Sequence, residues 1–319
     1  MSRNKQRDEV YYHRLSSFLN KSGGLAVKRF IKIKQMIFKI EAKTGEWYIL
    51  KGHFHPARVK RQWDFFDCMD NKEALVPFIL FPNGSKTIAD GRVTWTISPY
   101  RKGRTLKYED EADRKRALHA TRTFHSYAKN IQLKNQQVTK VMSERMQKRF
   151  YRFTQSASIF HEYGYDRLYT EIYKVSANLL ESAFSYPWHE KMNLAKKNGR
   201  WIHGDVASHN FIHDETTVLI DFDLLATAPQ IYDYMQLGQR FLPYIDWNLD
   251  ALLAYQMVDD HDLPIWLTMI GLPSDVMREW HITIAKKNIN TKEYLQKMGE
   301  DWAQRKIFLR NVHSMLQSK

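Results

Sequence analysis

The segment from His203 to Asp223 constrains the fold more than any other part of the chain. It reads His-Gly-Asp-Val-Ala-Ser-His-Asn-Phe-Ile over residues 203–212 and Val-Leu-Ile-Asp-Phe-Asp over residues 218–223. A polar loop is thereby enclosed between apolar runs that are short enough to be buried strands. Because flanking strands hold such a loop rigid, the segment predicts a fold that keeps its polar side chains in fixed positions.

The spacing of three polar residues in this segment indicates phosphoryl-transfer chemistry. Asp205 precedes Asn210 by five positions, and Asp221 follows Asn210 by eleven, directly after three apolar residues. Kinase-type sites use this order: an aspartate takes up or orients the proton of the attacking hydroxyl, and an asparagine and a second aspartate hold Mg²⁺ against the phosphates of ATP. Asp205 or Asn210 alone would be more simply explained as a turn cap. The joint pattern is what favours an ATP-dependent site.

The composition limits the class of protein. The chain has 319 residues, 43% of them hydrophobic and 13% aromatic, which is enough for a packed core and two lobes. The single cysteine, Cys68, excludes an internal disulfide and indicates a reducing compartment. We expect no signal peptide and no membrane span, since no stretch reaches roughly 18 apolar residues. The sequence thus predicts a cytoplasmic protein without a membrane partner.

The net charge of +14 raises the question of a polyanionic partner. A positive surface attracts nucleic acid, acidic polymers and nucleotides alike. The lysines and arginines are spread along the chain, and no aromatic-basic RNA motif is present. We therefore interpret the charge as a general surface property, and a nucleic-acid-binding protein is the weakest of the alternatives.

Hydrophobic periodicity divides the chain near residue 100. Residues 1–26 contain a helix over 8–19, and residues 27–100 read as strands with one helix inserted from Pro56 to about Asp70. Residues 101–319 are mostly helical around the short strands of the motif. The predicted fold class is α+β, with a small antiparallel-sheet lobe in front and a larger, mostly helical lobe behind. The finer expectations are hairpin turns at Asn83-Gly84 and Asp90-Gly91, helices over 109–129 and 140–185, and helix breaks at Pro243, Pro264 and Pro273.

The chain resembles the aminoglycoside phosphotransferase and choline kinase superfamily, whose members have a protein-kinase-like two-lobed fold. The resemblance covers roughly residues 27–310 and is most specific in the loop around Asp205. Within the superfamily the chain is most similar to the spore-coat CotS-type kinase-like proteins. The segments that carry the resemblance are Leu50-Lys51, Trp95 to Arg104, Ala117 to His125, His203 to Phe211, Leu219 to Asp223 and Tyr232-Asp233.

The resemblance implies a role for each polar residue of the motif. It makes Asp205 the catalytic base and makes Asn210 and Asp221 the Mg²⁺ ligands. Asp223 either reaches a second metal ion or hydrogen-bonds the loop, and these two alternatives stay open. The residues expected to support the loop, by packing behind it and by bracing it, are His203 and Asp233.

The resemblance also implies the nucleotide site. Lys51 ends a strand of the front lobe, where a lysine that pairs with phosphates belongs. The adenine is expected to hydrogen-bond the connector backbone from Ser98 to Tyr100. The implied cofactors are ATP and Mg²⁺.

Two departures from the family pattern concern the front lobe. The helix after Lys51 lacks the usual glutamate, which leaves Asp64 and Asp67 as candidates for the acidic partner of the lysine. No glycine-rich loop precedes Lys51, and the turn between the first strands reads Lys34-Gln35-Met36. The superfamily often manages without such a loop, so ATP binding is still expected.

The leading hypothesis is a small-molecule kinase whose acceptor hydroxyl is unidentified. The family resemblance adds the spore coat as an alternative location and coat proteins as partners. The departures in the front lobe motivate a second hypothesis, a non-catalytic coat or scaffold protein with a kinase fold. Among the remaining polar groups, His209 either approaches the substrate or packs the loop, and we interpret the run Asp259-Asp260-His261-Asp262 as a solvated turn rather than a metal site.

Overall fold

A computed structural model of the chain describes residues 3–134, 142–286 and 290–317. The strands are β1 (Val27–Lys34), β2 (Ile37–Ala42), β3 (Trp47–His53), β4 (Ile88–Asp90), β5 (Val93–Pro99), β6 (Arg104–Thr105), β7 (Trp201–Ile202), β8 (Phe211–His213), β9 (Thr217–Leu219) and β10 (Ala226–Thr227). The helices are α1 (Arg3–Gly23), α2 (Pro56–Cys68), α3 (Glu111–Tyr127), α4 (Met142–Thr154), α5 (Ala157–Glu162), α6 (Asp166–Phe184), α7 (Trp188–Lys197), α8 (Ile231–Phe241), α9 (Leu249–Leu253), α10 (Leu263–Gly271), α11 (Ser274–Ile284) and α12 (Thr291–Gln317). The predicted α+β class is confirmed.

Two compact units interleave along the chain. The first unit consists of Met1–Leu106, His119–Gln136 and Ser208–Leu225. The second consists of Lys107–Leu118, Gln137–Ala207 and Ala226–Lys319. The first unit thus includes two segments beyond residue 100, and the lobe bounds that the sequence suggests, 1–26, 27–100 and 101–319, remain predictions.

The first unit is built on a five-stranded antiparallel sheet in the order β1-β2-β3-β5-β4. Helix α1 extends the predicted helix in both directions and packs Leu15 and Leu19 against the sheet residues Phe38, Leu50 and Ile97. All five of these side chains are buried. Apolar residues recurring at helical spacing in α1 and at alternate positions in the strands produce this core.

Helix α2 and one of the two predicted hairpin turns agree with the sequence signals. Pro56 lies in the first turn of α2, where its missing N–H costs no hydrogen bond. The turn at Gly91 joins β4 to β5, as predicted. The chain also turns at Gly84, but no strand pair flanks this turn in the described residues. The predicted hairpin there is wrong because Ile79, just before the turn, pairs with Ile97 of β5 instead.

A small three-stranded sheet in the order β6-β8-β9 completes the first unit. The chain enters β6 through Gly103, whose φ is +121°. A Cβ atom at this position would lie 2.4 Å from the carbonyl oxygen of His213 in β8. Only glycine therefore permits this close approach of the connector to the strand that follows the polar loop.

Helices dominate the second unit. The predicted helical region 140–185 contains three separate helices, α4, α5 and α6, and its residues 140 and 141 lie outside the described residues. The predicted interruptions are present. Pro243 lies in a short 3-10 turn after α8, Pro264 in the first turn of α10, and Pro273 directly before α11. Each proline lies where its fixed φ suits a helix start.

The core of the second unit combines aromatic packing with a charged pair. The rings of Phe160 and Trp280 lie 4.8 Å apart, and both side chains are fully buried. Arg305 of α12 donates from Nη1 to Oδ1 of Asp275 in α11 at 2.9 Å, and its guanidinium lies 4.2 Å from the ring centre of Trp247. Helices α11 and α12 are thus linked by one arginine.

The thiol-bearing residue Cys68 is exposed at the end of α2. Of the helices in the described residues, none is both long enough and apolar enough to cross a membrane.

Candidate active site

Helix α8 positions the polar loop, residues 203–207, through the carboxylate of Asp233. The two oxygens of this fully buried carboxylate accept the backbone N–H of His203 at 2.8 Å and of Gly204 at 2.9 Å. A buried carboxylate needs such donors, and the loop N–H groups need an acceptor. Asp233 therefore braces the loop, as the resemblance implies.

Two more side chains on the same face of α8 contact the loop. Gln236 donates to the carbonyl of Gly204 at 3.0 Å, and Nη2 of Arg240 donates to Oδ1 of Asp205 at 2.7 Å. These residues follow Asp233 by three and by seven positions, which places all three on one side of a helix. Gln236 and Arg240 were not predicted from the sequence, although their helical spacing from Asp233 places them on its face.

His203 lies behind the loop. Its side chain is fully buried, and its Nδ1 accepts the backbone N–H of Asp205 at 3.2 Å. From the other side, the hydroxyl of Tyr108 donates to the carbonyl of Val206 at 2.8 Å. Burial raises the pKa of Tyr108 far above its ordinary value, so this hydroxyl stays protonated. The loop backbone is thus fixed, and the carboxylate of Asp205 remains partly exposed beside Arg240.

The hairpin of β8 and β9 brings Asn210 and Asp221 to the same end of the small sheet. Asn210 directly precedes β8, and one residue separates the end of β9 from Asp221. Phe211 of β8 pairs with Leu219 of β9. The carbonyl of Asn210 accepts the N–H of Ile220 at 2.9 Å. The eleven-residue spacing noted in the sequence is therefore the length of a hairpin that returns to its starting point.

The backbone at Asp221 has an uncommon conformation. Its φ is +65°, in the left-handed region that aspartate tolerates better than most residues. The next residue, Phe222, is buried, and its ring lies 5.4 Å from Phe66 of α2 and 5.6 Å from Phe124 of α3. Packing of Phe222 anchors the segment that carries Asp221 and Asp223.

Lys51 joins these two aspartates. Its Nζ lies 2.7 Å from Oδ1 of Asp221 and 2.8 Å from Oδ2 of Asp223. The expectation that Asp64 or Asp67 pairs with Lys51 is not met, because Asp64 pairs with Lys60 at 2.6 Å and Asp67 pairs with Lys86. The facing of α2 explains this result. At helical spacing its apolar face includes Phe66 and the position four residues earlier, Gln62, whereas Asp64 and Asp67 point elsewhere.

His53 adds a neutral group beside these charges. Its Nε2 lies 3.0 Å from the hydroxyl oxygen of Thr96, and its Nδ1 lies 3.8 Å from Oδ1 of Asp223. Burial and the nearby charge of Lys51 lower the pKa of His53 to about 4. The imidazole is therefore uncharged at neutral pH and does not compete with Lys51 for the carboxylates.

A cavity of about 430 Å³ lies within the first unit and reaches this cluster. Its mainly apolar walls include Ile49, Phe78 and Ile212, and its polar lining includes Lys34, Lys51, Gln62, Ser98, Tyr100, His209, Asn210 and Asp221. The expected adenine contacts Ser98 and Tyr100 thus line the cavity. The N–H of Tyr100, however, already donates to the carbonyl of Trp47 at 3.0 Å, so a ligand cannot use it while β3 stays paired.

The donor set of the cluster suits a hard divalent cation. Asp221 offers carboxylate oxygens and Asn210 an amide oxygen at this cavity, and Asp223 offers a carboxylate at an adjoining cavity that Asp221 also lines. Mg²⁺ takes oxygen ligands and often only one or two carboxylates, with phosphates and water completing its shell. The residues therefore fit the metal that the resemblance implies, and their roles stay predictions.

The run Asp259-Asp260-His261-Asp262, in the turn before α10, has hydrogen-bond and ion-pair partners close by. Oδ1 of Asp259 accepts the N–H of Asp262 at 2.9 Å, and Asp262 pairs with Lys191 at 2.5 Å. Asp259, His261 and Asp262 place one ligand atom each within 4.8 Å of one another, and the first two are exposed. These bonds within the turn agree with its interpretation as a solvated turn.

The antiparallel sheet of the first unit and the helices of the second define a protein of the kinase-like fold class. The chain belongs to the phosphotransferase enzyme family, because the model of that family matches residues 42–266, well over half of the chain. The polar loop, the hairpin of β8 and β9, and helix α8 all fall within the matched region. No curated protein matches the chain in sequence.

Solved structures share the fold at low sequence identity. An aminoglycoside phosphotransferase from Alicyclobacillus acidocaldarius subsp. acidocaldarius DSM 446 is 17% identical over 92% of this chain and 94% of its own, with a TM-score of 0.74. Spectinomycin phosphotransferase APH(9)-Ia, in complex with ADP and spectinomycin, is 14% identical over 91% and 93% of the chains, with a TM-score of 0.55. The amicoumacin kinase hAmiN, in complex with AMP-PNP, Ca²⁺ and Ami, is 14% identical over 91% of each chain, with a TM-score of 0.53.

Proposed function

We propose that the protein is an ATP- and Mg²⁺-dependent phosphotransferase that acts on a hydroxyl group of a small molecule. The observation that carries this proposal is the contact of Lys51 with both Asp221 and Asp223 beside a cavity of about 430 Å³. A lysine and paired carboxylates are the groups that kinase-type sites use for phosphates and metal. Membership of the phosphotransferase family and the fold of small-molecule kinases support the same conclusion.

The cavity supplies the nucleotide site in this proposal. The apolar side chains of its walls suit the faces of a purine, and the connector near Ser98 and Tyr100 offers carbonyl oxygens to the exocyclic amine. Because the N–H of Tyr100 is bonded to Trp47, we assign the adenine contact at Tyr100 to its carbonyl. Lys51 then binds the phosphates, as Arg and Lys groups do in such sites.

The metal site in this proposal consists of Asn210 and Asp221, with Asp223 as the third oxygen donor. When bound, Mg²⁺ neutralises charge on the phosphate oxygens. The protein holds the donors in place through the anchored ring of Phe222 and through the backbone bond between Asn210 and Ile220. Of the two alternatives for Asp223, the proposal takes the metal contact.

Asp205 is the catalytic base in the proposed reaction. It accepts the proton of the substrate hydroxyl while the hydroxyl oxygen forms a bond to the γ-phosphorus, and the bond from that phosphorus to the bridging oxygen of ADP breaks. Arg240 orients the carboxylate of Asp205 through its contact with Oδ1. Asp233 and His203 keep the loop in position, so most of the rate gain comes from positioning.

The acceptor and the location of the enzyme rest on similarity alone. The structural neighbours include proteins whose names give spectinomycin and amicoumacin as ligands or substrates, and we propose an acceptor of comparable size with a free hydroxyl. A thermal-shift screen with Mg-ATP across aminoglycosides, amino alcohols, sugars and nucleosides would identify it. The resemblance to CotS-type proteins supports association with the spore coat and its proteins, which cell fractionation of spores of the source organism would test.

The variant Asp205→Ala tests the proposal directly. We expect a loss of phosphoryl-transfer rate of about 10²–10⁴ fold, the range for a general base, with the Kd for Mg-ATP unchanged. The measurements are isothermal calorimetry for nucleotide binding and Mg²⁺-dependent release of ADP for turnover. Asp260→Ala, which removes an exposed carboxylate from the same unit, serves as the matched control. Absence of Mg-ATP binding to the unaltered protein would end the proposal at its first step.

A non-catalytic coat or scaffold protein is the second candidate. It is favoured by one observation: in α2, which the structure describes completely, neither Asp64 nor Asp67 pairs with Lys51. A kinase-type site normally holds this lysine with an acid of that helix. ATP turnover that disappears in Asp205→Ala would exclude this candidate, whereas nucleotide binding without turnover for any acceptor would support it.

A further inference from the structure

The turn between β1 and β2 brings a second lysine to the carboxylates that contact Lys51. Nζ of Lys34 lies 4.0 Å from Oδ2 of Asp221, while Lys51 contacts Oδ1 of the same carboxylate at 2.7 Å. The side chain of Lys34 is 60% exposed and that of Lys51 is 16% exposed. Lys34 therefore has the space to exchange one anionic partner for another.

The backbone fixes the turn that carries Lys34. Only two residues separate the paired ends of β1 and β2, and the second of them, Met36, has a φ of +60°. The carbonyl of Met36 accepts the N–H of Gly52, the residue after Lys51, at 2.8 Å. A Cβ atom at Gly52 would lie 2.9 Å from Cε of Met36, so the turn lies directly on this strand. This backbone hydrogen bond thus links the turn that carries Lys34 to the strand that carries Lys51.

Lys34 lines two adjoining cavities of the first unit. It shares the cavity of about 430 Å³ with Lys51 and Asp221, and these three residues also line a second cavity of about 260 Å³. The second cavity adds the carboxylate of Asp223 and the turn residue Met36. An anionic group that extends from the first cavity into the second passes both ammonium groups.

We propose that Lys34 is a phosphate-binding residue of the nucleotide site, which deepens the proposed function and rests on it. Phosphate loops elsewhere surround the anion with a series of backbone N–H groups, and a two-residue turn offers few of them. An ammonium group on the turn supplies the positive charge that this short backbone lacks. When the nucleotide binds, Lys34 and Lys51 contact phosphate oxygens in place of the carboxylates, and Asp221 and Asp223 become available to the metal.

The experiment compares Lys34→Met with Lys32→Met. Both variants remove one exposed positive charge from β1 and keep an unbranched side chain, but Lys32 lines neither cavity. Calorimetry with adenosine, AMP, ADP and ATP, each with Mg²⁺, measures the Kd for ligands that differ only in phosphate number. We expect Lys34→Met to weaken ATP binding about tenfold, the effect of losing one charge-assisted hydrogen bond, and to leave adenosine binding unchanged. Lys32→Met should match the unaltered protein, and Lys34→Arg should restore ATP binding.

The outcomes separate this inference from the proposed function. If the unaltered protein binds ATP and both lysine variants bind it equally well, Lys34 makes no phosphate contact and the inference is wrong, while the proposed function stands. A loss of adenosine binding in Lys34→Met equal to the loss of ATP binding would also overturn it, since the variant would then disturb the site as a whole. If the unaltered protein binds none of the four ligands, the proposed function fails as well.

Discussion

Gln62 is a buried polar side chain whose amide nitrogen has no hydrogen-bond partner in the described part of the chain. It lies in the middle of α2, is 2% exposed and lines the larger cavity. A buried donor without an acceptor costs about 1–3 kcal/mol. This cost is present in the ligand-free protein, and a ligand with an acceptor at this wall of the cavity would remove it.

We expect the substitution Gln62→Met to raise the free energy of unfolding of the ligand-free protein by about 1 kcal/mol. Methionine has a similar length and brings no unsatisfied donor into the core. Urea unfolding of the two proteins measures the difference. Gln155→Met, at an exposed position, is the matched control and should change the value by less than about 0.5 kcal/mol. A lower stability of Gln62→Met would mean that the amide has a partner in solution.

At the residue scale the sequence predicts the identity of the charged groups better than their pairing. The spacing of Asp205, Asn210 and Asp221 indicates the chemistry, because few folds require that order. The pairing of Lys51 with Asp223 could not be predicted, since it depends on the left-handed backbone at Asp221. The expectation of Asp64 or Asp67 as partner is wrong because sequence distance along a helix does not fix which face meets the sheet.

At the scale of elements, helix α8 shows how polar residues at helical spacing can contact a single loop. Its residues at spacings of three and seven reach a single loop: Asp233 accepts from the loop backbone, Gln236 donates to it, and Arg240 contacts Asp205. The sequence predicts a mostly helical chain around the motif, and the three polar side chains fall on one face of α8. That all three side chains contact the same loop depends on tertiary packing, which helical spacing alone does not predict.

Helices α11 and α12 depend on the pair formed by Asp275 and Arg305. Burial would raise the pKa of Asp275, but the charge and hydrogen bonds of Arg305 outweigh burial, so the pKa of this carboxyl lies below its ordinary value. A carboxyl with a lowered pKa stabilises the folded state above its unfolded value, near about 3.9. That stabilisation is lost as the pH falls through the lowered value.

We therefore expect Asp275→Asn to lower the free energy of unfolding by about 1–2 kcal/mol near pH 7, a range reduced for the partial exposure of the carboxylate. The difference from the unaltered protein should shrink as the pH falls below about 4 and through the lowered pKa of Asp275, where the folded-state carboxylate becomes protonated. Urea unfolding across the pH range, with Asp260→Asn as the exposed control, measures it. A difference that stays constant through the acid range would show that the charge of Asp275 is not its source.

At the scale of the whole molecule, the first unit is assembled from three separate parts of the chain. The five-stranded sheet is complete at residue 99, but the cavity also needs residues 209–222. Backbone bonds connect these parts: the N–H of Val76 donates to the carbonyl of Leu219 at 2.9 Å, and the N–H of Leu219 donates to the carbonyl of Ala74 at 2.8 Å. The sheet alone therefore cannot form the proposed nucleotide site.

A truncated chain tests this dependence. A protein that ends at residue 207 retains the sheet and Lys51 but lacks Asn210, Asp221 and the hairpin that carries them. We expect it to bind no Mg-ATP in calorimetry and to be cleaved by a protease within residues 69–87, where Leu75 loses its partner Leu219. A protease-resistant fragment covering residues 27–99 that still binds the nucleotide would contradict this expectation.

The division of the first unit into three chain segments also delays its folding during translation. A ribosome that adds about 5–20 residues per second needs roughly 10–45 s to reach residue 225, the end of the last segment of the unit. Until then the segment around Leu75 lacks its later partner, Leu219. During this interval the incomplete unit is open to aggregation and to capture by chaperones. Synonymous codons that slow translation between residues 106 and 208 should therefore reduce the yield of folded protein more than the same codons placed after residue 225.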